Sequence, residues 1–517
     1  MTAMTALNDL ARSDILFLNW RDPAHPQAGG AEAYCWETAR RFSEAGAHVT
    51  VFTARHPGAA PRSMSDGIRV LRGGGTYGVY AAAARHLLNH RHAYDAVIDC
   101  QNGIPFFSPL FSPRWTADLC VVHHVHQSQF DMLLPRPLNV VGRLLEKQVS
   151  RAVYHGRPVV VVSPSTLEGI RRELGFRNPA YIVPNGTPPD GACDGPRAAL
   201  GVPRSRTPAI AVVSRLVPQK RLELLVRAMP TLTQKMPDVR LDIAGDGSEL
   251  ALLRALAVRE GVGHAVTFHG RVSAARKWEM LARAWLTVAP SVAEGWGLTV
   301  IEANAVGTPA VVYDVPGLRD AVRPGRTGWL LPPESDLAHG IADALGELAA
   351  PGARERTAAR CRSWAATFSW DSSAERLAAV VLEEMARTRR HRHSRRRPSD
   401  LSVIGTFLVA DGNAMERFLR NALRLTDAWD RQGNTFRVLL HGCDEVRAVR
   451  ALRRLGVDPG ELSELSLASR QDVLVGTAVP AGPEPAAGRP VPGPTGAAGP
   501  LSVRLGGTLS DNGRTTP

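Results

Sequence analysis

The sequence predicts an α/β chain built from two doubly wound domains that face a cleft. Three observations predict it. Short, continuously apolar, β-branched runs alternate with helical stretches, the pattern of parallel strands buried on both faces. The series starts twice, on either side of a Pro- and Gly-rich loop at 184–207. The length of 517 residues exceeds one domain, at roughly 100–200 residues each.

The first series places strands at 14–20, 48–54, 95–100, 119–123, 158–163 and 181–184. The second places them at 209–214, 240–244, 265–269, 286–290 and 309–313. The domains are read as 13–187 and 205–388, with the last helices of the second as candidates to cross back to the first. A basic linker follows at 389–400, containing Arg389-Arg-His-Arg-His-Ser-Arg-Arg-Arg397. Residues 401–470 read as a small α/β fragment, with strands at 401–409 and 436–441 and a helix at 414–431. Residues 471–517 are Ala/Pro/Gly-rich without periodicity and are expected to be a disordered tail.

Composition excludes several classes. No run of 18 apolar residues exists, so no transmembrane helix is expected. Residues 1–12 lack an apolar stretch behind a basic start, so no signal peptide is expected. Six scattered cysteines without a CxxC pair fit free thiols in a cytoplasmic protein. The net charge of +13 suits an anionic partner, such as a nucleotide diphosphate or an acidic membrane surface. Aromatic residues do not interleave with the basic run, so nucleic acid is not expected as a partner.

Five segments carry candidate chemistry. Gly29 and Gly30 lie between the first strand and a helix at 33–45, where backbone N–H groups can meet an anion or a simple turn can form. Arg215 and Lys220 follow the strand 209–214, where cations suit a diphosphate and equally suit a solvated surface. Loops at 244–247 and around Gly270 and Arg271 are placed to read a nucleobase edge, and serve as well as ordinary turns. Glu294 sits in a loop with Gly295 and Gly297, ahead of a helix starting near Leu298 and Thr299. Glu302 lies in that helix among Val300, Ile301 and Ala303, an apolar setting that a merely solvated glutamate would avoid. Finally, His123, His124 and His126 cluster at a strand's carboxyl end without the carboxylate partners of a metal site.

Together these residues resemble the retaining glycosyltransferases of family GT4, which have the GT-B architecture. The resemblance spans roughly 13–388. Glu294 and Glu302 match the family's EX7E motif, continued by Ala303-Asn-Ala-Val-Gly-Thr-Pro309. The resemblance implies that Glu294 contacts the donor sugar, Glu302 the ribose, and the backbone of Gly297, Leu298 and Thr299 the diphosphate. It makes Arg215 and Lys220 the cationic pair beside the leaving group, and Gly29 and Gly30 the glycine loop near the reacting centre. One histidine of the pair His123 and His124 matches the family's active-site histidine, with His124 favoured. Pro184-Asn-Gly186 resembles the family's end of the first domain.

The implied reaction moves a sugar from an NDP-sugar to a hydroxyl, with no cofactor and no metal. The acceptor is left open between a glycan, a lipid-linked and a small-molecule acceptor. The segment 133–154 carries Arg136, Arg143, Lys147 and Arg151 beside Leu144, Leu145 and Val149, and fits peripheral membrane contact as well as an ordinary basic surface. An epimerase or phosphorylase on the same architecture, or a non-catalytic relative, are the alternatives.

Overall fold

The computed structural model describes residues 5–25, 28–133, 135–187, 195–390, 403–423, 427–440, 445–457 and 462–467. The tail expected at 471–517, and most of the linker expected at 389–400, lie outside the described residues.

The first sheet contains β1 (Asp14–Leu18), β2 (His48–Ala54), β3 (Arg62–Ser65), β4 (Ile68–Gly73), β5 (Ala96–Gln101), β6 (Ala117–Val122), β7 (Val159–Val161) and β8 (Ala180–Ile182). Its order is β3-β4-β2-β1-β5-β6-β7-β8, parallel except for the β3–β4 hairpin. Burial on both faces explains the apolar runs: Ile15 to Leu18 and Val159 to Val162 are all at most 1% exposed. The hairpin turns at Asp66-Gly67, both with positive φ. It carries alternating exposed residues rather than an apolar run, so periodicity passes it by.

The second sheet contains β9 (Ala209–Val213), β10 (Arg240–Ala244), β11 (Val266–Gly270), β12 (Thr287–Ala289), β13 (Ala310–Tyr313) and β14 (Gly328–Leu331). Its halves, β11-β10-β9 and β12-β13-β14, join where Ile210 bridges Leu286. The Thr287 hydroxyl seals that seam by donating to the Ala211 carbonyl at 2.8 Å. The resulting order, 3-2-1-4-5-6 within the domain, is the doubly wound one. Its strand order reverses between β9 and β12, the place where such sheets bind ligands outside their carboxyl ends.

The chain crosses back through the long helix Trp370–Arg390, which packs on helices Thr5–Asp9 and Gly30–Glu44 of the first domain. Arg41 meets Asp371 at 2.5 Å. Glu375 accepts from the backbone N–H groups of Ala6 and Leu7 at 2.7 and 3.1 Å. The Glu375 carboxylate thereby satisfies helix-terminal donors that burial would otherwise leave unpaired.

Residues 403–467 form a separate unit: β15 (Val403–Leu408), β16 (Ala428–Gln432), β17 (Thr435–Leu440) and β18 (Leu462–Leu467), ordered β16-β17-β15-β18, all antiparallel. With helices Gly412–Ala422 and Glu445–Arg454 this is a split β-α-β-β-α-β arrangement, with its own core around Phe407, Phe436 and Leu452. The helix expected at 414–431 therefore ends early. Its second half pairs with β17 instead, Trp429 against Val438, across a turn at Gly433 with φ 61°.

Candidate functional site

The loops after β9 and β12 meet at the reversal of the second sheet. The loop after β9 carries Arg215 and a short 3-10 turn, Pro218–Lys220. The loop after β12 carries Ser291, Glu294 and the glycines. Glu294 Oε1 accepts from Lys220 Nζ and, at 2.8 Å, from the Ser291 hydroxyl. The loops after β9 and β12 are thus joined in space by the Lys220–Glu294 pair.

Gly297 has φ 82° and precedes the helix Leu298–Ala305. That left-handed turn aims the helix N-terminus at the cleft, and a side chain there would strain it. The N–H groups of Val300 and Ile301 bond the Gly297 carbonyl at 2.9 and 3.2 Å. Those of Leu298 and Thr299 have no hydrogen-bond partner among the described residues. Two donors at a positive helix end make an anion cradle.

Glu302 sits one turn into this helix, 8% exposed between Ile301 and Ala303, which are both fully buried. Its Oε1 accepts from Lys277 Nζ at 2.7 Å. Lys277, whose role nothing in the sequence pattern signalled, comes from the helix Ala274–Arg283 that follows Gly270 and Arg271. Gly270 adopts φ 64°, and its carbonyl accepts from the Gly245 N–H at 2.7 Å, tying the two low-specificity loops together.

The first domain closes on this cradle. The place of a Cβ on Gly295 is taken by the His123 carbonyl oxygen, so only glycine permits the approach. The Thr166 hydroxyl donates to the Gly295 carbonyl at 3.3 Å, and Asp320 of the second domain accepts from the Ser165 N–H at 2.9 Å. The helix expected from residue 33 begins at Gly30, because Glu32 reaches back to accept from the Gly29 N–H at 2.8 Å. Arg215 reaches over this turn: a Cβ on Gly29 would lie 3.9 Å from its Cζ. Leu298 and Asn185 flank Gly30 in the same way.

The two histidines at the end of β6 face differently. His123 is buried against the Tyr34 ring, with centroids 5.1 Å apart, and its Nε2 has no hydrogen-bond partner among the described residues. His124 feels Lys220 of the other domain and the ring of His126. Burial first, then those neighbours, pushes His124 down to about 3; burial and His126 do the same to His123. Both are neutral at physiological pH.

The segment 133–154, read either as a membrane-contacting or as an ordinary basic surface, is helical with a π turn at Leu145–Val149. That turn rotates the regular spacing of Arg143, Lys147 and Arg151 and buries Glu146 completely, where it accepts from the His126 N–H at 2.7 Å. Leu138, Val140, Val141 and Leu144 are each about half exposed, at 55, 57, 47 and 49%. Among the described residues, no helix is long and apolar enough to cross a membrane.

The profile described as Glycosyltransferase Family 4 matches residues 28–190, and that described as Glycosyl transferases group 1 matches 202–364. A D-inositol 3-phosphate glycosyltransferase of Streptomyces scabiei is 30% identical over 415 residues, spanning 72% of this chain and 90% of that protein. Among solved structures, sucrose-phosphate synthase from Thermosynechococcus elongatus superposes with a TM-score of 0.58 at 24% identity, covering 74% of this chain and 99% of that one. Anabaena HepE in complex with UDP and glucose superposes at 0.53 and 17% identity, covering 72% and 100%. At these identities the structural likeness concerns the fold, which is GT-B.

Proposed function

Because the chain belongs to the family 4 glycosyltransferases, and is therefore a sugar-transferring enzyme, we propose that it is a retaining transferase. It takes the sugar from an NDP-sugar held mainly on the second domain and passes it to a hydroxyl acceptor over the first. The observation that carries this reading is the convergence of Lys220, Glu294 and the open N–H groups of Leu298 and Thr299 at one end of a sheet. HepE, of the same fold, binds UDP and glucose.

The bond that breaks lies between the anomeric carbon and the diphosphate, so negative charge grows on the leaving oxygen. Arg215, Lys220 and the helix N-terminus at Leu298 stand ready where it grows, and they do the work for which other transferases recruit a metal. Lys220 and Glu294 neutralise each other in the structure. On binding, the phosphate takes the lysine and the sugar hydroxyls take the carboxylate. His124, neutral at working pH, gives the sugar a hydrogen bond without adding charge. Closure through Gly295 and Asp320 keeps water from the donor.

The acceptor reading rests on the first domain. The half-exposed Leu138, Val140, Val141 and Leu144 beside Arg136, Arg143 and Lys147 support a lipid-linked acceptor reached from an anionic membrane surface. A thermal-shift panel of UDP-, GDP-, ADP- and dTDP-sugars tests the donor. One of them stabilises the protein by several degrees, and NMR of the transferred product then shows the donor's anomeric configuration kept. Stabilisation by none, or an inverted product, defeats the proposal.

A further inference from the structure

Glu302 presents an electrostatic problem that points beyond its motif. A carboxylate 8% exposed inside an apolar helix stays charged only with a partner. Among the described residues that partner is Lys277 alone, at 2.7 Å on Oε1. Lys277 is itself held. Its ammonium lies 4.4 Å over the Trp278 ring, and Trp278 is 1% exposed. Its helix is anchored by Ser273, whose hydroxyl accepts from the Arg276 N–H at 3.2 Å. Packing thus fixes the lysine and the lysine fixes Oε1, so the remaining oxygen of Glu302 is presented in one direction.

We propose that Lys277 is a positioning residue for the donor's ribose, and that the Lys277–Glu302 pair makes the enzyme select ribonucleoside over deoxyribonucleoside donors. The inference rests on the donor reading given above. A vicinal diol donates two hydrogen bonds to a carboxylate oriented in this way. A sugar without those hydroxyls leaves a poorly hydrated, charged acceptor unpaired. Sites built to accept a substrate hydroxyl reject analogues that lack it, because the site's own polar group is stranded. Without Lys277 the carboxylate turns freely or takes up a proton, and the preference for ribose fades. The same pair predicts that dTDP-sugars are poor donors.

The test is a calorimetric cycle on the full chain. UDP, GDP and ADP, and the 2′,3′-dideoxy counterpart of each, are titrated into wild type, Lys277→Met and Lys277→Arg, and the base that binds wild type most tightly is followed. Wild type favours the ribonucleotide by about tenfold or more, the scale of one to two hydrogen bonds to a charged group. Lys277→Met loses about tenfold for the ribonucleotide and less than twofold for its dideoxy counterpart, while Lys277→Arg restores most of the difference. In turnover, KM for the donor rises and kcat holds. Equal weakening of both nucleotides by Lys277→Met, or no weakening of either, overturns the inference while leaving the donor reading intact. Failure of every nucleotide to bind wild type overturns both.

Discussion

The two halves of the cleft meet at Gly295 but are chemically unlike. The second-domain half is charged: Arg215, Lys220 and Glu294 on its loops and Lys277 and Glu302 on its helices stand with an open helix end. At its histidines the first-domain half is buried and neutral. His123 and His124 are both held down near 3 by burial, and Tyr34 and Trp370 close ranks behind them with ring centroids 6.2 Å apart. The difference teaches how the labour is divided. Charge that grows during the reaction is met on one side, while the other excludes water and offers hydrogen bonds without competing charge.

The largest expected effect breaks the charged half. Lys220→Ala lowers kcat by about 100- to 1000-fold, the scale for losing one preorganised group at a developing oxyanion. Steady-state turnover with the stabilising NDP-sugar measures it, and a loss below tenfold would remove Lys220 from the leaving-group role. Next comes the junction. Gly295→Ala forces apart the His123 carbonyl and the glutamate loop. Activity falls by at least tenfold, while the melting temperature drops only by the few degrees expected for about 1–2 kcal/mol. Near-wild-type activity would show that the two halves need not touch.

The neutral half is sharpened by pH. Asp99, within β5, accepts from the N–H groups of Phe106 and Ser108 at 3.0 and 3.3 Å, yet burial pushes it up to about 6. Its folded value lies above the unfolded one near 4, so its protonated form favours folding. Stability is then full below about pH 4 and declines as pH rises towards about 6, by roughly 3 kcal/mol. Asp99→Asn removes that slope, so its penalty relative to wild type shrinks between pH 4 and 7 in denaturant melts. A penalty constant with pH would contradict it. The smallest effect concerns the separate unit at 403–467: a chain ended at residue 398 keeps its nucleotide affinity within about twofold, and a larger loss would bring that unit into the donor site.

Much of this division was legible in the sequence. Arg215, Lys220 and Glu294 stand directly after apolar strands, and Glu302 interrupts an apolar helix, so local pattern alone raised them. Lys277 was not legible, because it is an ordinary basic residue in an amphipathic helix until folding brings it to Glu302, 25 positions away. Asp320 was hidden for the same reason, since its partner Ser165 lies 155 residues off. The β3–β4 hairpin carried a readable Asp66-Gly67 turn but no apolar run. Residues 428–432 followed a helical stretch with no strong breaker, and only the Gly433-Asn434 turn announced the hairpin they form.

Glu302 is where the charged half is most exposed to test. Titration of the stabilising NDP-sugar into wild type and Glu302→Ala, with circular dichroism confirming an unchanged fold, asks whether the donor lies on the second domain. A loss of about 10- to 100-fold in affinity with the fold intact is the predicted result. Unchanged donor affinity in a folded variant would contradict the placement.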